Sequence, residues 1–279
     1  MKRKTRRIIF FCSLAAFLIA SYVVILYAQG YQYDFSNYQF IRTGAIYLKV
    51  NTDAHVLLNG VEKGTTSFLG NSASLDGLLP GTYTVSVQKK GYSSWQKVAE
   101  VKEGYVDDYP NVLLLPESGD AFQDLVKDAQ TILYPTPSPT PSSSLTPTPS
   151  IKKTPTPSPL PSVSPTPDPN APYYVQDGDL YVQSDKGPER IASNVAFVNL
   201  SPDGRKLAWA SGSQLWVYWL ANTDYQPYHQ AGDMVLLNHF GYTIKALDWF
   251  HDSDHIILDS SGYKVIEIDA RGGVNIINL

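Results

Sequence analysis

His251-Asp252-Ser253-Asp254-His255 is the stretch whose residue types and spacing come nearest to chemistry. On a helix, two imidazoles at i and i+4 share a face and, with carboxylates beside them, make a divalent-metal clamp. On a strand–turn–strand unit they fall on opposite sides of the turn, and the Asp and Ser side chains cap backbone N–H groups instead. The other histidines, His55, His229 and His239, are isolated in the sequence. Asp107, Asp108 and Glu117 sit at expected loops or strand ends without an evident partner and read as solvated. A Gly-x-Ser-x-Gly elbow, a P-loop and a dinucleotide fingerprint are missing. Trp95, Trp209, Trp216, Trp219 and Tyr92 supply aromatic surface enough for a carbohydrate-stacking face. Trp216 and Trp219, three apart on an expected strand, point opposite ways, which favours packing over display. No catalytic, cofactor-binding or metal-ligating residue is assigned, and the expectation is a protein that is not an enzyme.

An internal repeat decides between helix and turn. Val198–Leu220 lies over Leu247–Asp269 without a gap at an offset of 49 residues. Asp203-Gly204 meets Asp252-Ser253, Leu207 meets Ile256, Trp209 meets Leu258 and Trp216 meets Val265. The histidine-rich stretch thereby falls on the turn held by Pro202–Lys206 in the first copy. Asp177–Val182 matches the repeat's last strand, as if another copy began upstream. Leu200-Ser201-Pro202-Asp203-Gly204-Arg205-Lys206-Leu207-Ala208-Trp209 resembles the strand-turn-strand signature of TolB-like and WD-type β-propellers. That resemblance implies blades of roughly 40–45 residues and at least four of them in a closed ring. Residues 173–279 supply about two, a partial propeller with an open strand edge and an uncovered apolar face. The expectation is either a truncated copy of a longer protein, which is favoured, or self-association through the incomplete ring.

From Gly44 to Pro116 the pattern has period two: Ile46, Leu48 and Val50 alternate with Tyr47 and Lys49, and Tyr83, Val85 and Val87 with Thr82, Thr84 and Ser86. Asn59-Gly60, Pro80-Gly81 and Lys90-Gly91 punctuate the runs as turns. This predicts a small antiparallel β-sandwich. Val56-Leu57-Leu58-Asn59-Gly60, Lys63-Gly64-Thr65-Thr66, Leu78-Leu79-Pro80-Gly81-Thr82-Tyr83 and Lys90-Gly91-Tyr92 together resemble the PEGA domain over residues 43–116. The namesake tetrapeptide is replaced by Asn51-Thr52-Asp53-Ala54, and the proline after Gly-Thr is missing. The resemblance implies an exported, surface-associated, non-catalytic module.

Five basic residues in segment 1–7 precede Ile8–Tyr27, which carries no charge, and the next basic residue is Arg42. Twenty residues of helix rise about 30 Å, the thickness of a bilayer's hydrocarbon core. The asymmetry predicts a transmembrane signal anchor at 8–27 with residues 1–7 in the cytoplasm and the rest outside. A cleavable signal peptide has a similar layout, but small residues are missing at −3 before Ala28, Ala20 and Ser21, and the apolar run is long. Cys12, the only cysteine, lies in the span behind Phe11, so neither a lipoprotein site nor an exported disulfide is expected. The net charge of −4 argues against a nucleic-acid partner.

Asp120–Leu133 carries Phe122, Leu125, Val126 and Ala129 at helical spacing. Residues 134–172 then hold fourteen of the chain's twenty prolines among Thr and Ser, which predicts a disordered, semi-rigid linker separating two folded modules. The whole reads as a mainly β, single-pass bacterial cell-envelope protein that displays β modules for binding, adhesion or scaffolding, with an envelope glycan or protein as partner. The alternative is the N-terminal part of an exported sensor or enzyme whose active element lies in further blades.

Overall fold

The computed structural model describes residues 3–35, 37–135, 171–184 and 186–279. Helix α1 (Arg3–Ala28) is long and apolar enough to cross a membrane, with a mean hydropathy of 2.6 and no buried residue. It runs directly into a hairpin of β1 (Tyr31–Asp34) and β2 (Gln39–Arg42). Tyr27 meets Phe40 edge-on at 6.2 Å, and the Thr43 N–H and hydroxyl both donate to the Gly30 carbonyl. The neck therefore has its own hydrogen bonds and ring contacts.

Two sheets make up the sandwich. One has the order β6 (Ser72–Leu78), β3 (Gly44–Val50), β9 (Val106–Val112). The other has the order β5 (Val61–Thr65), β4 (His55–Leu58), β7 (Gly81–Gln88), β8 (Trp95–Val101). Ile46, Leu48, Val56, Val85, Val87, Trp95 and Tyr109 are buried between them. Asn59 and Gly60 both take positive φ, 52° and 78°, as a two-residue hairpin turn requires. The expectation of a wholly antiparallel sandwich fails at one pair: β3 and β9 run parallel. The chain leaves β8 in one sheet, crosses at Lys102–Tyr105, and enters the other sheet beside β3 in the same direction. A hairpin would have reversed it.

The C-terminal residues form three antiparallel meanders in chain order. The first is β10 (Tyr173–Gln176), β11 (Asp179–Ser184) and β12 (Gly187–Ala192). The second is β13 (Phe197–Leu200), β14 (Lys206–Ser211), β15 (Gln214–Trp219) and β16 (Met234–His239). The third is β17 (Ala246–Trp249), β18 (His255–Asp259), β19 (Tyr263–Glu267) and β20 (Ile276–Asn278). The 49-residue offset places β13 on β17 and β14 on β18 as the sequence repeat requires. It slips by one at the next strand. Ala210 pairs Leu215 with four residues between them, whereas its counterpart Asp259 pairs Tyr263 with three. Val265 therefore opposes Ile257 and stands where Val217 opposes Ala208, not where Trp216 stands. One residue fewer between equivalent strand positions exchanges the two faces of the strand that follows.

Ala208, Ala210, Leu215, Val217 and Trp219 on one face of the second meander pack against Leu247, Ile256, Leu258 and Ile266 of the third. The matching face of the third meander, with Ile257 and Val265, does not stay open. Helix α2 (Gly119–Leu133) lies against it, burying Ala129 and Leu133 with Leu115, Ala246 and Phe250. The expected uncovered face is thus filled by a helix that precedes the meanders in the chain. Nor do the sandwich and the meanders stand apart, as a spacer between them implied; they are in direct contact. Residues 136–170 of the proline-rich tract lie outside the described residues.

Residues 171–279 expressed alone should expose the α2-facing surface, at about 25 cal/mol per Å² of apolar area left wet. The fragment should self-associate or melt with low cooperativity, and a chain that also carries residues 43–135 should melt sharply. Analytical ultracentrifugation and calorimetry decide. A monodisperse fragment with a sharp, concentration-independent melt would contradict the covering role of α2.

Candidate functional site

Strand β8 alternates buried and exposed positions, and Trp95, Lys97, Ala99 and Val101 are the buried ones. Lysine stands where the pattern calls for an apolar side chain. Its ammonium, in a side chain with no exposed area, lies 3.1 Å from the Glu267 carboxylate. It also donates to the backbone carbonyls of Gly273, at 2.6 Å, and Asp269. Glu267 Oε2 accepts further hydrogen bonds from Trp95 Nε1 at 3.1 Å and Asn275 Nδ2 at 2.8 Å. Burial pushes the Glu267 carboxyl above its ordinary value, against the Lys97 ammonium and the Asn275 amide that pull it down. Ser94 and Lys97 make a Ser-x-x-Lys string, but on a strand the two point to opposite faces, and Ser94 is exposed.

Arg271 makes the second fastening. Its Nη1 donates to Asp107 Oδ1 at 2.6 Å and Gln226 Oε1 at 2.9 Å, and its Nη2 to the Asp108 carbonyl at 2.7 Å. Nε and Nη2 also hold the Asp269 carboxylate, and the guanidinium lies 4.3 Å over the Tyr109 ring. The fork geometry of guanidinium lets one side chain bridge strand β9 of the sandwich, Gln226 between β15 and β16, and the third meander. Between these two cations, Gly272 passes so close to β8 that a Cβ would sit 2.2 Å from the Val98 carbonyl oxygen. Its φ of +61° suits glycine as well.

The reading of Asp107 and Asp108 as solvated is overturned. Asp107 is held by Arg271 and by the Tyr109 hydroxyl at 2.9 Å, and burial raises its carboxyl above the ordinary value. Asp108 Oδ1 is buried without a hydrogen-bond partner among the described residues, and burial raises that carboxyl too. Glu117 is exposed, as expected.

The polar seam continues into the repeats. Asn111 donates to Asp254 at 2.8 Å, and the Tyr225 hydroxyl donates to the other oxygen of Asp254 at 2.6 Å. Lys206, 1% exposed, reaches Asp203 at 3.2 Å, Asp254 at 3.4 Å and Tyr225 at 2.8 Å. His255 occupies the place of Lys206 in the next repeat and pairs with Asp252 at 2.8 Å, as Lys206 pairs with Asp203. Asp252 Oδ1 also accepts from the backbone N–H groups of Asp254 and His255, the turn capping that the repeat predicts. His251 lies on the other side of that turn, 2.5 Å from Asp128 on α2. His229 stacks on Trp219 at 3.7 Å, His55 pairs with Glu62 at 2.7 Å, and His239 is exposed. Of the tryptophans, Trp95, Trp209 and Trp219 are buried, while Trp216 is half-buried and stacked on Trp209.

A cavity of about 30 Å³ lies in the seam between Tyr109, Asn111, Trp219, Tyr225, Asp254 and Glu267. That is room for one or two waters. Among the described residues no group of three or more His, Cys, Asp or Glu side chains is placed to hold a metal ion. Nearly every charged group in the seam has a protein partner. The arrangement can therefore hold two β bodies in one orientation, and its ionisable groups are engaged in doing so. Lys97 was the legible sign, as a charge on the buried phase of an alternating strand. Glu267 and Arg271 gave no such sign, because nothing local marks their partners.

Lys97→Met alone should destabilise the protein by about 3–5 kcal/mol, since it leaves Glu267 buried without its cation. Lys97→Met/Glu267→Gln should recover most of that loss. A double-mutant cycle by urea unfolding tests this, and additive effects would refute the coupling. A pH effect follows from Asp252. Burial pushes its carboxyl up, but hydrogen bonds from His255 and two backbone N–H groups outweigh burial and hold it below the ordinary value. A depressed folded-state value stabilises above the ordinary carboxylate range, and that stability is lost as pH falls through it. Asp252→Asn should flatten the fall of Tm on acidification, and an unchanged slope would refute it. A scan against protein-family models gives no match for the chain, and a search of curated proteins gives none either.

Proposed function

We propose that the chain is a membrane-anchored protein of a bacterial cell envelope that holds a rigid, non-catalytic β body outside the membrane for binding, adhesion or scaffolding. The observation that carries this is continuity. An apolar helix with no buried residue passes into a hydrogen-bonded neck, the neck into a sandwich, and the sandwich through ion pairs into the meanders. The five basic residues before the span favour a cytoplasmic N-terminus. The PEGA-like motifs of residues 43–116 and the propeller-like signature at Leu200–Trp209 suit a display module. In this reading the meanders are propeller-type blades, and α2 stands where a further blade would pack.

Membrane fractionation and protease accessibility test the reading. The full chain should resist alkaline carbonate extraction, and protease added to spheroplasts should remove the exported part. Recovery of full-length protein in the soluble fraction, or protection of the β body in intact spheroplasts, would overturn it.

A further inference from the structure

Where α1 meets the sandwich, the neck borders an open, polar cleft of about 360 Å³. Tyr27 from α1, Tyr31 and Gln32 from β1, Arg42 from β2, Asp76 from β6 and Tyr105 from the β8–β9 turn line it. Arg42 is the first basic residue after the span. Its guanidinium rests against Gly104, where a Cβ would come within 3.1 Å of Nη1, and it makes no ion pair or hydrogen bond among the described residues. Asp76 accepts one hydrogen bond, from the Ser74 hydroxyl at 2.7 Å, and has no cationic partner among the described residues. One open cleft thus presents, at its exposed rim, a cation and an anion that do not meet each other or another charge among the described residues. This contrasts with the module seam, where opposite charges close on one another.

We propose that this cleft binds the phosphoethanolamine headgroup of a membrane phospholipid, with the phosphodiester on Arg42 and the ammonium on Asp76. A guanidinium offers two parallel donors to a phosphate, and a carboxylate answers an ammonium. The tyrosine rings add faces that attract a cation. The cleft opens at the end of the helix read as the span, in the layer where headgroups lie and where tyrosine concentrates. A lipid is therefore the source of the phosphate. The proposal rests on the anchoring reading, and the two can fail separately: carbonate extraction tests the anchor, whereas headgroup selection is read in detergent.

The test is native mass spectrometry of the full chain in detergent with equimolar dihexanoyl phosphatidylethanolamine, phosphatidylglycerol and phosphatidylcholine. The wild type should retain one phosphatidylethanolamine in preference. Arg42→Gln should lower occupancy by all three lipids about tenfold, the loss of one charge-assisted contact, and Arg42→Lys should restore part of it. Asp76→Asn should abolish the preference for phosphatidylethanolamine over phosphatidylglycerol while keeping total occupancy. Both side chains lie outside the core, and an unchanged melt confirms that the variants fold. Wild-type occupancy in Arg42→Gln, a preference for either other lipid, or displacement by inorganic phosphate at equal concentration would overturn the proposal.

Discussion

A lysine ammonium removed from water must be met by other groups, and at Lys97 this requirement organises the molecule. Stripping an ammonium of its hydration costs several kcal/mol unless a counter-charge and hydrogen-bond acceptors replace it. The sandwich supplies neither at that point. Glu267 and the carbonyls of Asp269 and Gly273 do, and all three belong to the end of the third meander. The sandwich therefore satisfies its own buried charge only with the meander in place. Arg271, four residues beyond Glu267, repeats the bargain in reverse: a cation from the meander finds its acceptors on the sandwich. The reciprocity specifies orientation more than it adds stability, since oily residues of the same shape would hold as firmly.

Close packing completes what the charges orient. An array of stacked sheets ends in an apolar face that no neighbour covers, and repeat proteins meet this with a distinct capping element. Here α2 takes that place, although it lies upstream of the array. The cover thus returns across the chain to the last sheet, and the folding of the meanders depends on residues more than a hundred positions away. His251, paired with Asp128 of α2, stands on a turn whose counterpart in the preceding repeat carries Pro202.

Periodic features were the ones legible in sequence. The apolar helix, the alternation in the sandwich, the Asn59-Gly60 turn and the 49-residue repeat all rest on local rules, and their elements form where those rules put them. Local rules could not reach three things. The parallel pairing of β3 and β9 depends on a sheet crossing. The exchange of faces at β19 depends on a connection one residue shorter than in the preceding repeat. The burial of Asp107 depends on Arg271, which lies 164 positions away. The histidine-rich turn shows the opposite case. Its repeat partner already fixed its geometry, and the Asp252 capping bonds follow the alignment.

The contact between sandwich and meanders changes what the proline-rich tract is. Pro135 and Ala171, which flank it, belong to one packed body, so the tract joins two parts that already touch. What a covalent connection adds is an effective concentration of one half of the body for the other. A tract of this kind tolerates changes of length and sequence that the seam does not. Severing it would turn an intramolecular association into a bimolecular one without removing any of the contacts that hold the halves together.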